Sequence, residues 1–354
     1  MKRALALLLA VMLIAGMFVG CGGQDAPATE EPATEAPEAT EEPMEEGIKV
    51  SMVTDVGGVN DLSFNQSAWE GLERSKTEFG TDVSYLESKQ EADYEVNLET
   101  LVDEENDLVW GIGFMMGEAL KLSAENFPEQ KFAIIDMSYG EETPENVVGV
   151  SFKEHEPSYL VGYIAGKMTE TNKVGFIGGI DFYLINKFEY GFLAGVKAAN
   201  PDAEVFRQYA NSFTDAAAGK SIAEQFYNEG ADIIYHAAGA TGNGMIEAAK
   251  EKGKWAIGVD RDQNDLAPDN VLTSAMKRVD NAIYNVVSEL NEGNWAGGTT
   301  VVYGLAEGGV DIAPSSDKHV PAEILAEVEE LKAKIIAGEI TVPENKEEYE
   351  ASMK

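Results

Sequence analysis

Three aspartates close short apolar runs: Asp55 follows Ile48–Thr54, Asp136 ends Phe132–Asp136, and Asp260 follows Trp255–Val259. One such acid is ordinarily a helix cap. Three at matching strand ends instead line a polar cleft, where carboxylates accept hydrogen bonds from a ligand. The stretch from Val53 to Leu72 reads as a strand, a glycine loop, a polar turn and a helix start. Gly57 and Gly58 let the backbone approach a ligand closely. Asp61 or Ser63 can cap the helix that carries Ala68, Trp69 and Leu72 inward. Phe64 falls at the loop–helix junction, where an aromatic ring faces a cleft. Together these residues offer acceptors beside a flat apolar surface, which is the chemistry of recognition.

Other chemistries lack their residues. Gly219-Lys220-Ser221 looks like the end of a P-loop, but position 214 is Thr where the motif needs Gly. No Gly-x-Ser-x-Gly elbow occurs. The single cysteine excludes a disulfide framework and any cysteine-rich zinc site. His155, His236 and His319 are scattered and read as ordinary histidines. No metal, no cofactor and no catalytic residue is expected, and the chain reads as a binding protein.

The elements that must position the acids alternate. Strands are expected at Ile48–Thr54, Val83–Leu86, Leu108–Gly111, Phe132–Asp136 and Val147–Phe152, then at Val174–Ile177, Glu204–Tyr209, Ile233–His236 and Trp255–Val259. Helices are expected between them at Gln66–Phe79, Tyr94–Glu104, Glu118–Asn126, Glu154–Thr169, Leu184–Ala199, Ala216–Asn228 and Gly244–Lys252. Alternation implies parallel sheets with helices on both faces, and two series imply two α/β lobes. Ligands of such sheets bind beyond the carboxyl ends of the strands, where the aspartates lie.

The front of the chain differs. Lys2 and Arg3 precede an apolar run from Ala4 to Val19, the pattern of a secretory signal peptide. Phe18-Val19-Gly20-Cys21 resembles a bacterial lipobox, with Phe18 in place of the usual Leu, and makes Cys21 the lipid-accepting thiol. Residues 24–46 hold nine acids, four prolines and no base, so they read as an extended, solvated tether. The whole 354-residue chain carries a formal charge of −37, of which −30 falls on residues 47–354. Such a balance excludes a nucleic-acid polymer as partner, since phosphate contact needs a basic face.

Beyond the first motif, the chain carries Glu154-His155-Glu156 leading into Leu160-Val161-Gly162-Tyr163-Ile164-Ala165-Gly166, Lys173-Val174-Gly175-Phe176-Ile177-Gly178-Gly179 and Phe188-Glu189-Tyr190-Gly191-Phe192. Later come Ser212-Phe213-Thr214-Asp215, Gly258-Val259-Asp260-Arg261-Asp262-Gln263 and Thr273-Ser274-Ala275-Met276-Lys277-Arg278. In this order and spacing the set resembles the basic membrane protein family of lipoproteins, also called the purine nucleoside receptor family. The resemblance covers nearly the whole mature chain. It implies a type I periplasmic-binding-protein fold, α/β, with two doubly wound parallel-sheet lobes and a ligand cleft between them.

The resemblance further implies the substrate-binding component of an ABC importer for purine nucleosides (inosine, guanosine, adenosine). Its partners would be an ABC permease with separate ATPase subunits and, through the lipid anchor, the extracytoplasmic face of the cell membrane. Carried over by position, it stacks the base between Phe64 and Phe213, with Asp55 and Asn65 on the base edge. Asp136, Asp260 and Lys277 would hold the ribose hydroxyls. The loop after Gly179 departs from the family by lacking a proline, and its Phe182 or Tyr183 is an alternative second ring. Leu62 stands where the family commonly has Lys.

The implied organisation is a signal peptide over 1–20 and a tether over 21–47. An N-terminal lobe would comprise 48–152 plus 274–308, and a C-terminal lobe 153–273 plus 309–354. Crossings are expected near Phe152–Glu154, Ser274 and Gly308-Gly309, with a helix and then a strand between Pro321 and Val342. The enzymatic alternative is a nucleoside hydrolase, but Val53, Val59 and Asn60 stand where three of its four calcium-loop acids belong. A binding protein for a sugar or autoinducer-like ligand is the other alternative, because fold alone does not fix the ligand. A ligand-sensing repressor would need a DNA-binding headpiece before Ile48.

Overall fold

The computed structural model describes residues 47–354. The signal peptide, Cys21 and nearly all of the tether lie outside the described residues. In chain order the first elements are β1 (Lys49–Thr54), α1 (Phe64–Phe79), β2 (Asp82–Glu87), α2 (Asp93–Asp103), β3 (Leu108–Ile112), α3 (Gly117–Asn126), β4 (Phe132–Ile135) and β5 (Val147–Phe152). Next come α4 (His155–Met168), β6 (Lys173–Gly178), α5 (Tyr183–Ala199), β7 (Glu204–Tyr209), α6 (Ala216–Asn228), β8 (Ile233–Ala237), α7 (Ala240–Lys252), β9 (Trp255–Asp260) and β10 (Val271–Lys277). The chain ends with α8 (Val279–Asn291), β11 (Thr299–Tyr303), β12 (Val310–Ile312), α9 (Ala322–Ile336) and α10 (Lys346–Ser352).

These strands build two six-stranded sheets, ordered β11-β5-β4-β3-β1-β2 and β12-β10-β9-β8-β6-β7. Every pairing is parallel except β10 with β12. The apolar runs explain the layering. β3, β4 and β8 are buried along their whole length, as parallel strands covered on both faces must be. β2 and β7 are half-exposed, and both are edges. This is the expected two-lobed, doubly wound α/β fold.

Both sheets reverse their winding after the first strand of the series, between β1 and β3 in one and between β6 and β8 in the other. That reversal opens a crevice at the carboxyl ends, where ligands of open α/β sheets bind. Asp55 follows β1, and Gly179 follows β6.

The chain passes between lobes after β5, after β10 and between β11 and β12. The second passage lies past Ser274. Ser274, Ala275 and Met276 continue the ladder with Gly258, Val259 and Asp260, so β10 stays in the second sheet through Lys277. α8 then packs on α1 of the first lobe. The expected strand after α9 is also corrected: Val342 is buried, but no ladder includes it. Pro343 follows it and lacks the N–H that a ladder needs. α9 and α10 pack on α4 and α5, so the C-terminus does return to the second lobe. Among the described residues, no helix is long and apolar enough to cross a membrane.

Candidate ligand cleft

The glycine loop after β1 is built around two carboxylates. Asp55 Oδ1 accepts from the Gly57 N–H and from Asn65 Nδ2, both at 2.8 Å. Asp61 is the cap of α1: its carboxylate accepts from the N–H groups of Ser63 at 2.9 Å, Asn65 at 2.8 Å and Gln66 at 3.1 Å. These are the donors a helix start leaves unpaired. Asn65 Nδ2 also donates to Asp61 at 3.0 Å, which leaves the buried Asn65 Oδ1 without a partner. Ser63 does not cap, because its hydroxyl donates instead to Asp260 in the other lobe.

Asp136 and Asp260 occupy equivalent places at the ends of β4 and β9, and both hold left-handed backbones, with φ of 68° and 64°. Outside glycine, that conformation is tolerated mainly by Asn and Asp, at some cost in strain. It turns both carboxylates into the space between the lobes. Lys277, at the end of β10, sits within 2.6 Å of Asp136 and 3.1 Å from Glu154 Oε1. Its ammonium lies 5.2 Å from the centre of the Phe64 ring, within cation–π range.

Apolar walls complete the cavity. Leu184, Ile185 and Phe188 come from α5, and Phe64, Phe114 and Phe213 supply rings. Phe213 lies against the backbone of Gly179, where a Cβ would come within 2.2 Å of Cε1. The space between these walls, counted out into the open mouth, is about 570 Å³.

Burial dominates the electrostatics. It pushes Asp55 up to about 6, against the hydrogen bonds from Asn65 and Gly57. Burial raises Asp136 to about 6, opposed by Lys277 and reinforced by Glu154. Asp260 rises to about 7 for the same first reason, with Lys277 again opposing. Lys277 is held above the ordinary lysine value: burial works against its charge, but Asp136, Glu154 and Asp260 outweigh it. One ammonium thus serves three buried carboxylates.

The lobes touch across the mouth. Arg261 of the second lobe donates to both carboxylate oxygens of Glu70 in the first, at 2.6 and 3.2 Å. Gln263 donates to the Leu62 carbonyl at 3.1 Å, and Asn243 to that of Asp61 at 3.0 Å. Phe114 stacks on Phe182 with ring centres 4.6 Å apart and planes 12° from parallel.

All seven residues singled out from the sequence, Asp55, Phe64, Asn65, Asp136, Phe213, Asp260 and Lys277, line this cavity. Phe182 and Tyr183 are exposed and do not line it. Phe114 and the wall from α5 are additional, and Phe114 carried no sequence signal beyond following Gly113 at a strand end. Leu62 faces outward, and Trp69 packs edge-on against Tyr85. Met116 belongs to the core of the first lobe, and the half-buried Met115 packs against it. Gly219-Lys220-Ser221 lies inside α6, with Lys220 paired to Glu247 and Glu251. Among the described residues, no cluster of His, Cys, Asp and Glu could hold a metal.

A family model described as Bmp, ABC transporter substrate-binding protein PnrA-like, matches residues 48–346. Basic membrane protein A of Borreliella afzelii is 43% identical over 316 residues, covering 88% of this chain and 96% of that protein. The ABC transporter nucleoside-binding protein BmpA of Lactococcus lactis is 36% identical over 363 residues, covering 97% and 99%. An ABC transporter system solute-binding protein from Aeropyrum pernix K1 superposes with a TM-score of 0.78 at 32% identity, over 86% of this chain and 96% of that one.

Proposed function

The chain belongs to the Bmp family of PnrA-like ABC transporter substrate-binding proteins, and from that premise we propose that it captures a purine nucleoside between its lobes. It delivers inosine, guanosine or adenosine to an ABC permease with separate ATPase subunits, tethered to the outer face of the cell membrane by a lipid on Cys21. It performs no chemistry on the ligand. The nucleoside-binding relative supports this reading at the level of the ligand class.

The observation that carries it is the imbalance of the cavity wall. Asp55, Asp136, Asp260 and the unpartnered Asn65 Oδ1 are all acceptors, and Lys277 is already engaged. A matching ligand brings several donors and a flat face, and it carries no negative charge. A nucleoside has this composition: paired ribose hydroxyls, base N–H groups and an aromatic ring. Phe64 and Phe213 sandwich the base, with Asp55 and Asn65 on its edge. Asp136 and Asp260 accept from the ribose hydroxyls, and Lys277 favours the ionised form of both. Charge-assisted bonds of this kind are short and strong. A phosphate is repelled by the same carboxylates. The contacts of Arg261, Gln263 and Phe182 across the mouth support capture by closure of the lobes.

Calorimetric titration with inosine, guanosine, adenosine, cytidine, free ribose and inosine 5′-monophosphate tests this. Purine nucleosides are expected to bind at least a hundredfold more tightly than ribose or the monophosphate. Tight ribose binding with no purine nucleoside binding overturns the reading. Release of free base from inosine establishes a hydrolase instead.

A further inference from the structure

Glu154-His155-Glu156 forms the first crossing and the start of α4, yet none of the three lines the cavity. Each reaches a different part of the hinge. Glu156 Oε2 accepts from the Leu305 N–H in the third crossing at 2.7 Å. His155 Nε2 stands 3.6 Å from Glu344 in the C-terminal segment, and burial holds this histidine down at about 4, so it is neutral at pH 7. Glu154 is wholly buried, with Oε1 3.1 Å from Lys277 Nζ and Oε2 3.3 Å from Lys187 Nζ.

A carboxylate removed from water is costly unless it is paired, so this arrangement is demanding. Glu154 stays ionised because Lys277 and Lys187 outweigh the effect of burial. Lys277 is the last residue of β10, directly before the second crossing. Its ammonium therefore joins the first crossing, the second crossing and the cavity carboxylate of Asp136. Two carboxylates compete for it, one in the hinge and one in the cleft.

We propose that Glu154 is a positioning residue for ligand capture, acting through Lys277. Its buried charge holds the ammonium where it lies 2.6 and 2.7 Å from the two oxygens of Asp136, so that this carboxylate stays fixed for a ligand hydroxyl, and it ties that arrangement to the crossings about which the lobes move. The inference rests on the nucleoside reading above.

Inosine affinity is measured on the full chain in detergent, for wild type, Glu154→Gln, Lys277→Met and the double variant. Glu154→Gln preserves shape and removes the charge; it is expected to weaken binding at least tenfold. In the double variant binding is no weaker than with Lys277→Met alone. An unchanged affinity for Glu154→Gln overturns the proposal, and so does a loss that adds in full to that of Lys277→Met, since a purely structural role adds. If Glu154→Gln does not fold, Lys187→Met replaces it, because removing the second partner of Glu154 also shifts its hold on Lys277. A change of about threefold that vanishes beside Lys277→Met supports the proposal, and no change overturns it. Wild-type protein that binds none of the three purine nucleosides overturns the functional reading and this inference together. Binding by wild type with additive losses overturns this inference alone.

Discussion

Asp136 and Asp260 meet two unfavourable conditions at once, a left-handed backbone and near-complete burial, offset in part by a shared cation. Strain and desolvation collected at one site are what a pre-organised binding cleft requires. The consequence for pH follows from sign. Asp55 and Asp136 are raised to about 6 and Asp260 to about 7, above their unfolded values near 3.9. The folded, ligand-free protein therefore retains protons that the unfolded chain has lost. The stability this contributes is complete below about pH 4 and disappears as pH rises through 6 to 7. Asp260→Asn is expected to stabilise the ligand-free protein at pH 8 by at least about 1 kcal/mol and to do little at pH 4, measured by denaturant unfolding. On the proposed function, nucleoside affinity measured by calorimetry is expected to move the other way, rising between pH 5.5 and 7.5 as the carboxylates become full acceptors. For the rings, Phe64→Ala should weaken purine nucleoside binding at least tenfold, in line with about 1–3 kcal/mol per stacked base. Unchanged affinity by calorimetry removes Phe64 from the site.

At the scale of elements, the loops after β1 and β6 do matching work in the two lobes. The first is shaped by Asp61, whose carboxylate fastens the start of α1 and thereby sets Phe64 and Asn65. The second depends on an absent side chain: Gly179 leaves room for Phe213 to lie flat against the loop. Gly179→Ala should displace that ring and weaken nucleoside binding about tenfold while leaving the melting temperature within a few degrees, because no left-handed backbone is required there. Retention of full affinity would show that the position of Phe213 is irrelevant to the ligand. Most of the regular elements were legible from apolar runs and their alternation, often to within a residue or two, as with β5, β7 and α6. β10, α8, β11 and β12 were not among the expected elements. The last residues of β10 look like a passage between lobes, and only the ladder with β9 keeps them in the second sheet.

For the whole molecule, the acid surplus divides by location. Part lies in residues 24–46 and most lies over the lobes, while a few buried acids face the cleft. Only those few face the cleft directly; the remainder repels polyanions. Delivery to a permease needs the lobes held near the membrane, which the proposed lipid on Cys21 supplies. Cys21→Ala is expected to shift the protein from the membrane fraction to the soluble extracytoplasmic fraction. Continued membrane partitioning would refute the anchor.

Local pattern was enough to determine the α/β class, the paired lobes and the strand-end acids Asp55, Asp136 and Asp260. Burial and period are written into neighbouring residues, and a parallel sheet exposes its strand ends by construction. The resemblance added Asn65, Phe213 and Lys277, which no spacing marks. Tertiary structure alone decided that Ser63 turns to Asp260 and leaves Asp61 to cap α1, that Phe114 stacks on Phe182 of the other lobe, and that Glu154 meets Lys277. The physical reason is common to all three: each depends on residues whose distance in space has no counterpart in the local chain. A carboxylate read in isolation is a cap, a surface charge or a ligand, and its neighbours in the fold settle which.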